Sequence, residues 1–511
     1  MKQRITYIVH NADDFNPNQL EIKAASIKLN KVKAAKEQRV TFGLSELPGE
    51  LRKALEQWHE LHIRWASERP YTAIPPFTSL MSPGLHVFFT PQKDVSEGPL
   101  CTLLQAFFGS DLRCEDPKKA FTQLPILSER FSMSATSQYY AYLPSLSYLV
   151  ESIRNNICVS LPGKASCPLL AARLLSATYV DMDYDAISHA LVINAFWNKP
   201  ISAGGWNEHI ELIGKDDAIE IGVLNHEPNP DPEDIAFSGF LTVLGEDTAP
   251  KPTRFQTPTR HYPMSSSLTY KASFSHPTGL HPTLVLSLPV KELKPPNSSC
   301  KLHAHLTFPS YLFIDKYQFS DPLFLSSHNL ISLRSLSGAT DLEAPDWVIP
   351  AWGSAALFQL AVPTSSELKF GIEGSDWNAT IPVHLRYLPA TDASHTSVPI
   401  PWPVLFWACR AEEGTKMAVN PFDRLHLGYE ALFGPKTRFM HIPPEPTGNG
   451  TGALVEWIDV PVLDLRKTGW VEGGTVGVVV LAFAWLCWVL FGKGFGSGGA
   501  KKGVEKGKKM Q

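Results

Sequence analysis

The 511-residue chain has no Gly-x-Ser-x-Gly elbow, no His-Glu-x-x-His and no phosphate-binding P-loop. These absences argue for a chain with no catalytic residue, no cofactor and no metal. Its seven cysteines include no Cys-x-x-Cys pair, which excludes a zinc ribbon or a thioredoxin-like site. Charge is sparse: 46 basic against 50 acidic residues leave a net charge of −4, so no basic excess points to nucleic acid. No repeat of fixed period runs through the sequence, which excludes a solenoid. The first ten residues, Met1 to His10, lead into polar sequence with no apolar segment, so no signal peptide is read there.

What is present is apolar residues (44%) and proline (42 residues). That apolar content supports a buried core and is too high for a disordered chain. The prolines disfavour a long helical bundle and suit short strands joined by turns. Length alone corresponds to roughly three domains.

One long uncharged run stands out, Gly473 to Phe491. As a helix it reaches about 28 Å, near the roughly 30 Å of membrane hydrocarbon. Trp470 lies where an interfacial aromatic is expected. After the run come Lys493, Lys501, Lys502, Lys506, Lys508 and Lys509 against Glu505. Before it, Arg466 and Lys467 face Asp459, Asp464 and Glu472. The positive-inside rule puts the tail in the cytosol and the body across the membrane. Lys508 and Lys509 match the spacing of a dilysine endoplasmic-reticulum (ER) retrieval signal. Sequons begin at Asn297, Asn378 and Asn449, all on the side expected to be lumenal.

The expected architecture is mainly β. It has an N-terminal α+β or β-rich region over 1–245, a Pro-rich linker over 246–275 and an antiparallel sandwich-like domain over 276–470. A transmembrane helix over 473–491 and a Lys/Gly-rich tail over 492–511 follow. Residues 5–9 and Leu85–Thr90 read as strands, and 176–197 as a hairpin turning near Asp185–Ser188. Pro48-Gly49-Glu50 opens an amphipathic helix carrying Leu51, Leu55, Trp58, Leu61 and Trp65 up to Pro70. The basic stretch with Lys28, Lys31, Lys33 and Lys36 reads as a solvated face. Pro228 to Pro232, with Asp231, Glu233 and Asp234, reads as an acidic loop. Strands are expected at 281–288, 301–308, 311–319, 330–336, 355–362, 380–388 and 405–409.

Two constellations have chemical meaning. Asp181-Met182-Asp183 has the spacing many glycosyltransferases use to hold a metal bound to a nucleotide sugar. On a strand its carboxylates share one face. No nucleotide-binding βαβ unit surrounds it, so a glycan-processing enzyme is the weaker reading. His303 and His305 also share a strand face, but no third zinc ligand accompanies them. Six body cysteines allow fifteen disulfide connectivities.

Several motifs occur in order: Cys300-Lys-Leu-His-Ala-His-Leu-Thr-Phe-Pro309, Leu312-Phe-Ile-Asp-Lys-Tyr317, Asp341-Leu-Glu-Ala-Pro345, Pro382-Val-His-Leu-Arg-Tyr387 and the strand 403–409. With a span near the C-terminus, the stretch 276–491 resembles the PIG-X family, accessory subunits of glycosylphosphatidylinositol (GPI) mannosyltransferase I. The long N-terminal half looks like the fungal form.

The resemblance implies a lumenal β-rich domain tethered in the ER membrane. It would stabilise the polytopic catalytic subunit PIG-M, which adds the first mannose to the GPI precursor, and would itself carry no catalytic residue. A broader role in folding other ER proteins is the alternative. Asp315 and Tyr317 are expected on one strand face, as are His384 and Arg386, beside Tyr387. Asp341, Glu343 and Pro345 read as a loop leading to Trp347 and Trp352, candidate partner anchors. Cys300 with Cys409 is a candidate bridge of the domain. Cys101 with Cys114, and Cys158 with Cys167, are candidates for closing short loops, each worth roughly 3 kcal/mol.

Overall fold

The computed structural model describes all residues except 1, 11–14, 93–98, 126–136, 160–166, 213–217, 229–233, 265–266, 277–278, 342–343, 364–375, 412–425, 446–451 and 492–511. It is mainly β, with one C-terminal apolar helix. The acidic loop read at 228–232 lies almost wholly outside the described residues. The Lys-rich tail lies outside them entirely.

Residues 1–387 and 397–459 form one compact unit. Its largest element is an eleven-stranded sheet. In spatial order the strands are Lys251–Pro258, Asp234–Val243, Ala218–Glu227, Lys2–Val9, Ala35–Gly43, Ala190–Trp197, Tyr179–Asp185, Trp58–Ala66, Gly84–Pro91, Ser137–Ala141 and Thr122–Gln123. Lys2–Val9 runs parallel to Ala218–Glu227, and its other neighbour, Ala35–Gly43, is antiparallel. Alternation sends Ile5, Tyr7 and Val9 to one face and Ile8 to the other. On the first face, Leu100–Phe108 and Ser147–Ser152 supply Leu100, Leu104, Phe108 and Leu149 to a shared apolar core.

The second face packs against a six-stranded sheet from the C-terminal half. Its order is His261–Pro263, Thr437–His441, Val404–Arg410, Lys301–Pro309, Gly353–Leu360 and Leu330–Gly338. Phe88, Tyr179, Phe196 and Phe237 of the first sheet meet Val404, Phe406, Tyr429 and Phe439 in one cluster. Close register between Lys301–Pro309 and Gly353–Leu360 depends on Gly353. Its φ is +146°, and a Cβ there would lie 2.0 Å from the Phe308 carbonyl oxygen.

Several expectations need correction. The helix begined by Pro48 covers only Gly49–Leu55; Trp58–Ala66 is a strand. Leu61 and Trp65 fit a helical repeat and, through Ile63, a strand's alternation equally, and both faces of this inner strand are buried. The stretch expected as a linker holds the strands Lys251–Pro258, His261–Pro263 and Lys271–Phe274. Prolines fit in the first because it forms the sheet edge. The strand expected over 311–319 is only Leu312–Phe313, followed by a turn of 3-10 helix at Gln318–Ser320. The Tyr179–Asp185 and Ala190–Trp197 hairpin turns where expected, with Asp185 opposite Ala190.

The second unit comprises 388–396 and 460–511. Within it, the Leu465 amide donates to Thr391 and the Val462 amide to Ser394. Asp464 caps the turn that leads into the helix Thr468–Phe491. Within the continuous helical stretch Leu465–Phe491, the most apolar 18-residue window has mean hydropathy 2.3 and is not buried in protein. A helix apolar on all sides is stable where its surroundings are apolar, and this one is long enough to cross a membrane.

Phe406 is fully buried, stacked on Tyr429 at 4.6 Å and edge-on to Phe439 at 5.5 Å. Phe406→Ala is expected to cost about 3–5 kcal/mol. Thermal unfolding of the purified protein in detergent checks this; an unchanged midpoint would remove Phe406 from the shared core.

Candidate functional site

The densest buried charge lies between the two sheets. Trp58–Ala66 and Tyr179–Asp185 are antiparallel neighbours, with His62 opposite Asp183 and Arg64 opposite Asp181. The period of two turns all four side chains to one face. Arg64 Nη2 lies 3.2 Å from Asp183 Oδ1, and Nη1 lies 3.5 Å from Asp181 Oδ2. Arg64 also donates to the Tyr179 hydroxyl at 3.3 Å and the His426 carbonyl at 3.2 Å. His62 Nδ1 is 2.6 Å from Asp183 Oδ1. Asn194 donates to the Phe77 carbonyl at 3.0 Å and reaches Asp181 Oδ2 at 3.5 Å.

The two aspartates therefore share a face, but that face meets an arginine. Burial and the neighbouring charge of Asp183 push Asp181 up to about 7. Burial also disfavours the Asp183 anion, yet Arg64 and His62 hold it well below the usual carboxylate range. Burial disfavours protonated His62, but its hydrogen bond to Asp183 and the nearby Glu60 carboxylate outweigh it and raise its affinity for a proton. Arg64 stays charged. Chemically this is a charge cluster joining the large sheet to the segment at His426. Among the described residues, Glu60, His62 and His426 are also the one group of three whose ligand atoms all lie within 4.8 Å of one another.

A histidine-rich layer continues alongside. His261 Nδ1 is 3.0 Å from His441 Nε2, and both rings are buried. Burial drives His441 down to about 3 and His261 well below its ordinary value. His303 and His305 do share a face, packed against Phe406, Phe433 and Tyr429. Burial lowers them to about 4 and about 3. Glu430, 3.9 Å from His261, accepts from the Leu427 amide, and burial raises it to about 7.

The family-like motif residues are dispersed. Arg386 is 2% exposed and donates to the carbonyls of Ser310, Asp341, Ala344 and Ala339, with its guanidinium over the Phe313 ring. This gathers the chain around Pro345. Beside it, buried Asp346 accepts from Arg113 and Ser310, both at 2.6 Å. His384 meets His281 at 3.0 Å. Asp315 and Tyr317 do not share a strand: Asp315 Oδ1 accepts from the Tyr317 amide at 2.9 Å, closing a turn. Tyr317, Trp347 and Tyr387 are exposed, whereas Trp352 is buried and donates to Gln138 and Thr122. Glu343 lies outside the described residues.

Cys101 is bonded to Cys114, Cys158 to Cys167 and Cys300 to Cys409. Asn297 and Asn378 are exposed; Asn449, Lys508 and Lys509 lie outside the described residues. One cluster escaped sequence reasoning. Lys36, expected on a solvated face, is 1% exposed and bonds Glu208 at 2.7 Å. It sits over the rings of Tyr7, Trp197 and Trp206. Its placement between Ala34, Ala35 and Glu37, away from the exposed alternation of Lys31 and Lys33, was the available signal.

The fold and these buried clusters define a β-rich protein in which, among the described residues, one apolar helix is long enough to span a membrane. Residues 277–491 match the family model described as PIG-X / PBN1. "Protein pbn1" of Emericella nidulans is 48% identical over 510 residues, covering 96% of this chain and 95% of that protein. "Protein PBN1" of Gibberella zeae is 36% identical over 518 residues, covering 100% and 99%. "Protein PBN1" of Saccharomyces cerevisiae is 28% identical over 301 residues, covering 57% and 62%. The chain belongs to the PIG-X / PBN1 family.

Glu430 binds its proton more tightly folded than unfolded. Its contribution to stability is full below about 4.5 and is lost as pH rises to about 7. Glu430→Gln should flatten that part of the stability profile and raise the melting temperature above pH 7. Melting curves of both proteins from pH 5 to 8 check this; parallel curves would show that Glu430 does not titrate there.

Proposed function

We propose that this chain is a non-catalytic ER membrane subunit of GPI mannosyltransferase I. It stabilises the polytopic catalytic subunit, PIG-M, which adds the first mannose to the GPI precursor. The observation that carries this reading is family membership along the whole chain, which implies an accessory role in GPI-anchor biosynthesis. The buried sites support it. Asp181 and Asp183 are occupied by Arg64 and His62, so the pair is built into the sheet contact and is not presented to a nucleotide sugar. The apolar helix tethers the body, and the lysines after it hold the tail in the cytosol. The body is then lumenal, where disulfides persist and sequons are used.

Depletion of the protein in cells labelled with tritiated inositol is expected to accumulate the acylated glucosaminyl-inositol lipid lacking mannose. Overexpressed catalytic subunit should restore mannosylation, as stabilisation requires. A normal precursor profile after full depletion would overturn the assignment and favour a general folding factor.

Orientation has its own check. Asn297→Gln and Asn378→Gln should each abolish one endoglycosidase-sensitive mobility step. A body that carries no glycan at either site and is cleaved by protease outside sealed microsomes would reverse the topology.

A further inference from the structure

We propose that Glu60, His62 and His426 form a binding site for one divalent transition-metal ion of the zinc type. Each offers a ligand atom, and the three atoms lie within 4.8 Å of one another. Small side-chain rotations bring such atoms to the separations of about 3.4 Å that tetrahedral bonds of 2.0–2.1 Å require, leaving a fourth position for water.

The second observation is independent of that clustering. His62 is 6% exposed, and its Nε2 is buried without a hydrogen-bond partner. It points toward Glu60, with Oε2 at 3.9 Å. The opposite nitrogen explains why. Nδ1–H donates to Asp183 Oδ1 at 2.6 Å, which fixes the tautomer and leaves the Nε2 lone pair facing the site. A carboxylate behind a ligating histidine is the usual support of a zinc ligand. Asp183 is anchored in turn by Arg64 at 3.2 Å. The same guanidinium holds the His426 backbone through its carbonyl at 3.2 Å, so one residue positions two candidate ligands. The His426 ring lies parallel to His62, with centroids 3.8 Å apart and an interplanar angle of 21°.

Charge points the same way. Asp181 and Asp183 both reach the single guanidinium of Arg64, and Glu60 adds a third carboxylate beside His62. A divalent cation offsets the excess of carboxylate. Two ligands come from a strand of the eleven-stranded sheet and the third from the C-terminal half of the sequence, within the same compact unit. The bound ion would join these distant segments, a structural role consistent with a non-catalytic chain.

The test uses the full chain, purified in detergent through a tag without histidine. Metal analysis should find about one zinc per chain, and cobalt(II) added to the metal-stripped protein should give the visible bands of a tetrahedral site. Glu60→Gln and His426→Gln should each abolish the bands. Asp183→Asn should weaken zinc binding by about 10–100-fold. His209→Gln, at an exposed position, should change nothing. Added zinc should raise the melting temperature of wild type but not of Glu60→Gln, whose change at a partly exposed side chain tests binding without emptying the core. Folded wild type with no stoichiometric metal and no cobalt bands would overturn the site and leave His62 as the protonated partner of Asp183 and Glu60. Bands retained by Glu60→Gln and His426→Gln would overturn the ligand assignment.

Discussion

Arg64 is the constraint around which the compact unit is organised. A guanidinium that is 2% exposed needs acceptors on every side, because an unpaired buried charge costs several kcal/mol. Asp181 and Asp183 supply them from the neighbouring strand, Tyr179 from the same strand, and the His426 carbonyl from the C-terminal half of the chain. The sheet register, the sheet-to-sheet packing and the position of residue 426 are thereby set against one another. Such a cluster adds specificity more than raw stability, since each ion has been taken out of water.

The apolar surroundings make that cluster hold. Phe406 and Phe439 from one sheet, Tyr429 from the loop before Glu430, and Phe88, Tyr179 and Phe196 from the other sheet exclude water between the layers. The same exclusion keeps His261, His305 and His441 neutral and raises Glu430 toward neutrality. On the opposite face of the large sheet, Lys36 and Glu208 repeat the solution with an aromatic wall. The unit thus buries charge on both faces of one sheet and satisfies it across long sequence separations. That architecture suits a protein whose role is to hold a shape for a partner.

Local patterns were legible where one physical rule dominated. The uncharged run at 473–491 could only be a long apolar helix, and the hairpin at 179–197 showed alternation interrupted by turn residues. The motif at 382–387 was visible as a family likeness, but nothing in it identified the groups that Arg386 would contact. Its carbonyl partners come from residues 310 to 344, which no local pattern connects. Trp58 to Trp65 misled because one spacing satisfied two periods, and only burial on both faces separates them. Asp315 and Tyr317 misled differently, since an aspartate that caps its own turn competes with the strand.

The sequence by itself determined the β-rich class, the apolar helix, the likeness to a family and the shared face of Asp181 and Asp183. Each follows from short-range periodicity, composition or ordered motifs. Tertiary structure decided what those carboxylates face, which lysine is buried, and that His62 meets His426. Those outcomes depend on the stacking of two sheets whose strands lie hundreds of residues apart. A side chain's chemistry is written in the sequence, but its partner and its dielectric surroundings exist only once the layers close.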